Sequence, residues 1–242
     1  SKIAGIKLKN RIIRSATHEG FADTGGKPLG QLEDLYLKLA KGGAGAIITG
    51  FTGVQQNGKG ASNMRLIDKD EYIDDYKKLN DKLKKTGVPV IMQLVHCGAN
   101  SNRSISGEDT VAPSEFKNKL YRSTAKELDE DGIETVISSF VKAIIRSKKS
   151  GFAGVQLHAA HGYLLSQFLS SYVNKRKDRW GGSLENRFRI IGEIISRARE
   201  HVGAYPIFAK ISAYDADRKG VRIDEGIRIA GLFQAAGIDC IE

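Results

Sequence analysis

The feature that most restricts the fold of this 242-residue chain is a regular alternation. Short, nearly continuous apolar runs are separated by longer stretches whose apolar residues recur every three or four positions. Strands covered on both faces produce runs of the first kind, and helices with one buried stripe produce the second. Strands are predicted over residues 11–15, 44–49, 89–94, 154–158, 207–211 and 238–241, and helices over 29–41, 71–86, 134–150, 185–202 and 224–236. Gly43, Gly87, Gly151, Gly203 and Gly237 follow the helical stretches, and glycine most easily takes the left-handed conformation that closes a helix.

Strand–helix repetition of this kind builds a parallel sheet with crossover helices. The expected fold class is α/β, a TIM (β/α)8 barrel with about six of its eight units present. Residues 1–242 read as a single incomplete domain, with one connection at about 97–132 long enough to be a lid or an added hairpin. A sheet that stops at a sixth strand keeps two raw edges, which could pair with another copy of the chain.

The two cysteines, Cys97 and Cys240, lie far apart with no paired metal spacing and read as buried thiols. The formal net charge of +10 favours anionic ligands. The basic residues are nevertheless dispersed, and Lys77, Lys78, Lys82, Lys84 and Lys85 read as one solvated helix face, so nucleic acid is not the expected partner. No apolar run is long enough to span a membrane and no secretory leader is visible. The expectation is a soluble, cytoplasmic protein.

In a parallel barrel, reactive groups project from the C-terminal ends of the strands. The polar residues there are Ser15, Ala16, Thr17 and His18 after strand one, Thr49 and Gly50 after two, Gln93 and His96 at three, His158, His161 and Tyr163 at four, and Lys210 and Ser212 at five. Four of the five histidines fall in this set, while His201 sits near a helix end and reads as structural or exposed. Two imidazoles and a phenol just past a strand form a group of hydrogen-bond and proton donors. The histidine pair has no carboxylate near it in sequence, and no metal site is expected.

Several segments resemble the old yellow enzyme family in order and spacing: NRIIRSATH from Asn10 to His18, QLVH from Gln93 to His96, VAPS from Val111 to Ser114, and HAAHGYLLSQFLS from His158, continuing through NKRKDRWGGSLENR from Asn174 to Arg187. The front motif is most similar to the 2,4-dienoyl-CoA reductase and enoate reductase branch. The resemblance covers essentially the whole chain but only about two thirds of a family catalytic domain. It implies an FMN-dependent NAD(P)H oxidoreductase of ene-reductase type, acting on a small activated alkene or enoyl substrate.

The same resemblance assigns roles. Ser15, Ala16, Thr17 and His18 would line the flavin edge together with Gly50, Gln93 would bond the pyrimidine side, and Lys210 would be the cation beside it. His158 and His161 would bind the acceptor's carbonyl oxygen, and Tyr163 would protonate the α-carbon. Asn174, Arg176, Asp178 and Arg187 read instead as a buried polar network holding their loop to the barrel.

The sequence departs from the family at Lys210, where arginine is common, and at Ala99 and Asn100, near which the family often has an arginine. Barrels commonly seat a cofactor phosphate on loops after strands seven and eight, so this chain by itself is expected to bind FMN weakly or not at all. Two other chemistries fit a barrel: a Schiff-base aldolase using Lys210, and a flavin-dependent tRNA dihydrouridine synthase using Cys97 and the basic charge.

Overall fold

The computed structural model describes residues 1–119, 123–215, 217 and 219–242. Six strands, β1 (Ile13–Arg14), β2 (Ala46–Ile48), β3 (Val90–Val95), β4 (Gly154–Ala159), β5 (Ile207–Ile211) and β6 (Cys240–Ile241), lie side by side in chain order, each parallel to the next. Helices α1 (Gly30–Lys41), α2 (Tyr72–Lys84), α3 (Glu130–Lys149), α4 (Leu164–Leu169), α5 (Leu184–Val202) and α6 (Ile223–Ala235) connect them. Strand order that follows chain order, with a helix in each crossover, is the wall of a (β/α)8 barrel, of which these strands form an arc.

The five predicted helices and the middle strands stand within a few residues of their expected places. Strands β1 and β6 contract to two residues each, because each has a sheet partner on only one side. Helix α3 starts four residues before the apolar pattern does: Asp129 caps it by accepting from the amide of Gly132 at 2.8 Å, and Glu130 and Asp131 complement the helix dipole. That first turn is polar, so periodicity alone does not reveal it. All five closing glycines have positive φ, from 60° at Gly203 to 102° at Gly43.

Alternation along the strands divides the core in two. Ile47, Val90, Met92, Leu94, Val155, Leu157, Ala159, Ile207 and Ala209 belong to the large outer cluster that the helices cover. Ile48, Ile91 and Phe208 point the other way and pack with Ile13 and Cys240 inside the arc. A short hairpin at the start of the chain, Lys2–Ile3 with Ile6–Lys7, adds Ile3 and Ile6 to this inner cluster as a floor. Its two-residue turn, Ala4 and Gly5, has positive φ at both positions, the geometry that suits a tight hairpin.

The long connection holds a small sheet. Ser123–Glu127 pairs in parallel with Val111–Ala112 and antiparallel with Phe116–Asn118, while residues 120–122 of the connection lie outside the described ones. The polar loop before α5 is anchored by Asn174, Arg176 and Arg187, whereas Asp178, expected in the same buried network, is exposed and pairs with Arg176. Asn174 donates to the carbonyls of Phe168 and Trp180, Arg176 to those of Pro113 and Leu128, and Arg187 to that of Leu169 and to Glu225.

Candidate active site

Because inward side chains alternate with outward ones, strands β3, β4 and β5, and the residues just past β1 and β6, set polar side chains above the apolar floor. Gln93, Gln156, His158, Lys210, Glu242 and Ser15 make this upper row. In register, Gln156 lies beside Gln93, and His158 beside Lys210. A continuous hydrogen-bond chain links five of the six. Gln93 Nε2 donates to Gln156 Oε1 at 2.7 Å, and Gln156 Nε2 to Glu242 Oε2 at 2.7 Å. Glu242 Oε1 accepts from Lys210 Nζ at 2.6 Å and from Ser15 Oγ at 2.5 Å, and Lys210 also reaches Ser15 at 3.0 Å. Burial raises the Glu242 carboxyl's pKa, but the bonds from Lys210, Ser15 and Gln156 outweigh it and leave the group below its ordinary range.

Below this row an apolar cavity of about 260 Å3 is bounded by Ile3, Ile13, Ile48, Phe208, Cys240 and Ile241. Polar rim over apolar base is a setting for a ligand with one hydrogen-bonding edge and one apolar edge.

His158 also meets His161 and Tyr163. The ring of His158 is edge-on to both His161 and Tyr163, with centroids 4.9 Å apart in each case. His158 is buried, and its pKa is pushed down to about 3 by burial, then by His161 and Lys210. It is therefore a neutral imidazole. Its Nδ1 accepts from the Ala160 amide at 3.3 Å, which leaves the proton on Nε2 and makes that nitrogen a donor.

His161 is exposed and takes φ 58°, and burial and then Lys210 shift its pKa downward. A left-handed non-glycine residue carries strain of order 1–3 kcal/mol. Here the turn is fixed from both sides: the His161 amide donates to Ser212 Oγ, and the Gly162 carbonyl accepts from Asn100 and Gln167.

The segment after β1 is the most open part of the site. Ser15, Thr17 and His18 are exposed and Ala16 partly so. His18 stacks on Phe51, with centroids 4.8 Å apart and planes 11° from parallel, and Phe51 tilts against Tyr163 at 5.8 Å. An aromatic band thus runs from β1 across β2 to β4. Gly50 stands behind it. Its amide donates to Glu19 at 2.8 Å and its carbonyl accepts from Arg65 at 2.6 Å, so its backbone groups are used within the protein. A methyl at Gly50 would overlap Glu19 Oε2 and the Thr17 carbonyl oxygen.

Two other candidates serve the fold. His96 is buried, donates from Nε2 to Asn57 at 2.9 Å and accepts the Gly98 amide at Nδ1; burial lowers its pKa to about 3. Cys97 is fully buried and burial pushes its thiol upward, the wrong direction for a reactive thiolate. Among the described residues, no group of three His, Cys, Asp or Glu side chains converges as a metal site, and no described helix is long and apolar enough to cross a membrane.

Sequence reasoning missed Gln156, Glu242, Phe51 and the buried trio Glu19, Tyr36 and Arg65. Gln156 was legible, standing two residues before His158 and so on the same strand face. Phe51 follows Gly50 directly, but nothing local says that its ring turns into the mouth. Glu242 reads as an ordinary surface carboxylate until the fold sets it beside Lys210.

The family model described as "NADH:flavin oxidoreductase / NADH oxidase family" matches residues 2–242. The chain is 38% identical over 216 residues to a metal reductase of Desulforamulus reducens, covering 89% of this chain and 32% of that one. It is 36% identical over 241 residues to an NADPH dehydrogenase of Geobacillus sp., covering 99% and 70%. Among solved structures, a 2-naphthoyl-CoA reductase in complex with 2-naphthoyl-CoA superposes with TM-score 0.96 at 31% identity, covering 100% of this chain and 39% of that one. An old yellow enzyme homologue from Zymomonas mobilis superposes with TM-score 0.91 at 26% identity, covering 100% and 71%. The chain therefore spans about a third of the metal reductase and about 70% of the NADPH dehydrogenase.

Proposed function

Since this chain belongs to the NADH:flavin oxidoreductase / NADH oxidase family, we propose that it carries the greater part of the catalytic face of an FMN-dependent NAD(P)H oxidoreductase that reduces small activated alkenes. The observation supporting this most directly is the convergence of one polar row and one aromatic band on a single barrel mouth. A flavin ring has a hydrogen-bonding pyrimidine edge and an apolar benzenoid edge. Gln93, Lys210 and Ser15 suit the first, and the rings of His18, Phe51 and Tyr163 suit the second, so the donor set fits the cofactor.

Bound FMN would supply the hydride carrier, taking hydride from NAD(P)H and giving it to the electron-poor carbon of the acceptor. The rest is done by the chain. Lys210 holds positive charge at the pyrimidine edge, tempered by its ion pair with Glu242. His158, a neutral donor at Nε2, and His161 hydrogen-bond the acceptor's carbonyl oxygen and draw electron density from the alkene. Tyr163 holds the proton destined for the α-carbon at its phenol oxygen. Ala16 and Thr17 offer backbone groups to the ring edge.

Two other chemistries are less well served. The Lys210 nitrogen, which a Schiff base would need, is engaged by Glu242 and Ser15. The sealed position of Cys97 removes the thiol a dihydrouridine synthase would use.

The test is an FMN titration of this chain beside a longer protein extending through strands seven and eight, followed by anaerobic NAD(P)H reduction and reoxidation with an enone. Flavin binding and reduction by at least the longer protein are expected. If neither binds FMN, the proposal fails.

A further inference from the structure

Glu19 follows His18 and is one of the most heavily bonded side chains in the molecule. Its Oε1 accepts from Arg14 at 3.0 Å, from the Tyr36 hydroxyl at 2.6 Å and from the Gly50 amide at 2.8 Å, and its Oε2 accepts from Arg65 at 3.1 Å. The side chains of Glu19 and Arg65 are each only 3% exposed, and Tyr36 is fully buried. Arg65 closes the group by donating to the Tyr36 hydroxyl and the Gly50 carbonyl, and Arg14 by donating to the carbonyls of Thr17 and Ile48. The bonds from Arg14 to the Ile48 carbonyl and from the Gly50 amide to Glu19 tie the end of β1 directly to the end of β2, and Tyr36 of α1 and Arg65 from the loop after β2 brace the same carboxylate.

The geometry on the opposite side of this knot gives it a purpose beyond stability. Glu19 and Gly50 are bonded to each other; their sequence neighbours His18 and Phe51 are stacked on each other, nearly parallel at 4.8 Å. One contact is the dry face of a junction and the other its open face. Gly50 is required at this point because any side chain would occupy the space of the Glu19 carboxylate.

We propose that Glu19 is a positioning residue whose buried carboxylate clamps the β1 and β2 tips together, so that His18 and Phe51 are held face to face as a preformed wall for the flavin and its acceptor. The proposal rests on the flavin reading above for what the wall meets, but the clamp itself is a property of the chain.

The experiment compares E19Q, F51A and their double variant in the holoenzyme and its flavin-free form. In the flavin-free protein, the His18 ring protons are expected to be shifted upfield by Phe51, and both F51A and E19Q should return them to the position of an unstacked histidine. In the holoenzyme, E19Q is expected to weaken FMN binding about tenfold. In the F51A background the same change should cost less than about threefold, because two residues acting through one wall are not additive. If E19Q is folded yet keeps the upfield shift, or if its effect on FMN binding adds fully to that of F51A, Glu19 is only structural and the proposal is overturned. A wild-type protein with no upfield shift overturns it as well. Should E19Q fail to fold, Y36F removes one bond to the same carboxylate oxygen while keeping the Glu19–Arg65 charge pair, and the same two readouts decide. If the stack obeys Glu19 but neither this chain nor the longer protein takes up FMN, the functional proposal fails while the clamp stands.

Discussion

Tyr163 is the residue from which the proposed chemistry asks most. Replacing it with phenylalanine keeps the ring against Phe51 and His158 and removes only the hydroxyl. Reduction of the enzyme by NAD(P)H should then stay within about twofold of wild type, while reoxidation by an alkene slows by about two orders of magnitude or more. Rapid-mixing measurement of the two half-reactions separates these effects, and an equal loss in both would remove Tyr163 from the proton-donor role. The buried histidines predict a pH dependence of stability. His96 and His158 have folded pKa values of about 3 against an ordinary 6.5. The unfolded chain therefore binds protons that the folded chain refuses. Their contribution is complete above about pH 6.5 and falls as pH drops towards 3, by up to about 1.4 kcal/mol per pH unit for each histidine. Thermal melts at pH 7, 5 and 4 should show a progressive fall, steeper in the wild type than in H96N. At this scale the sequence was legible in position: His158, His161, Tyr163, Gln93 and Lys210 stand at or just past the strand ends where they were expected, and so does His96, which is bonded into the fold. Glu19 and Arg65 were not legible, because their partners lie 46 residues apart and a charged residue in a loop ordinarily reads as solvated.

Among elements, the helices and strands were legible to the degree that each carries a complete apolar period. Strands β3 to β5, sandwiched between inner and outer clusters, stand within a residue or two of expectation. The opening hairpin went unseen because two-residue strands have no period to read, although its Ala4–Gly5 turn is a local signal. The sequence left the long connection open between lid and hairpin, and it holds an antiparallel pairing of Phe116 with Ala125 and of Asn118 with Ser123. The early start of α3 yields a clean prediction. Asp129 is exposed and its carboxylate serves the helix N-terminus, so D129A should lower stability by about 1 kcal/mol while leaving flavin affinity unchanged. Denaturant midpoints measure the first and fluorescence titration the second.

At the scale of the whole molecule, the arc presents apolar surface on both flanks. Ile223 and Ile227, one helical turn apart on α6, are 57% and 68% exposed, and Ile12 beside β1 is 68% exposed. The 242-residue chain in isolation should therefore self-associate as its concentration rises. Sedimentation should show this, and I227K should reduce it; a strictly monomeric wild type at high concentration would contradict the expectation. The barrel order was legible because chain order and spatial order coincide, so the strand-end rule led straight to the mouth. The floor was not legible, and it has a kinetic consequence. With Ile3 and Ile6 packed under Ile48, Ile91 and Phe208, the base of the arc is stoppered. On the proposed function, reductant and acceptor would then queue for one berth, and excess of either is expected to inhibit by keeping the other waiting outside.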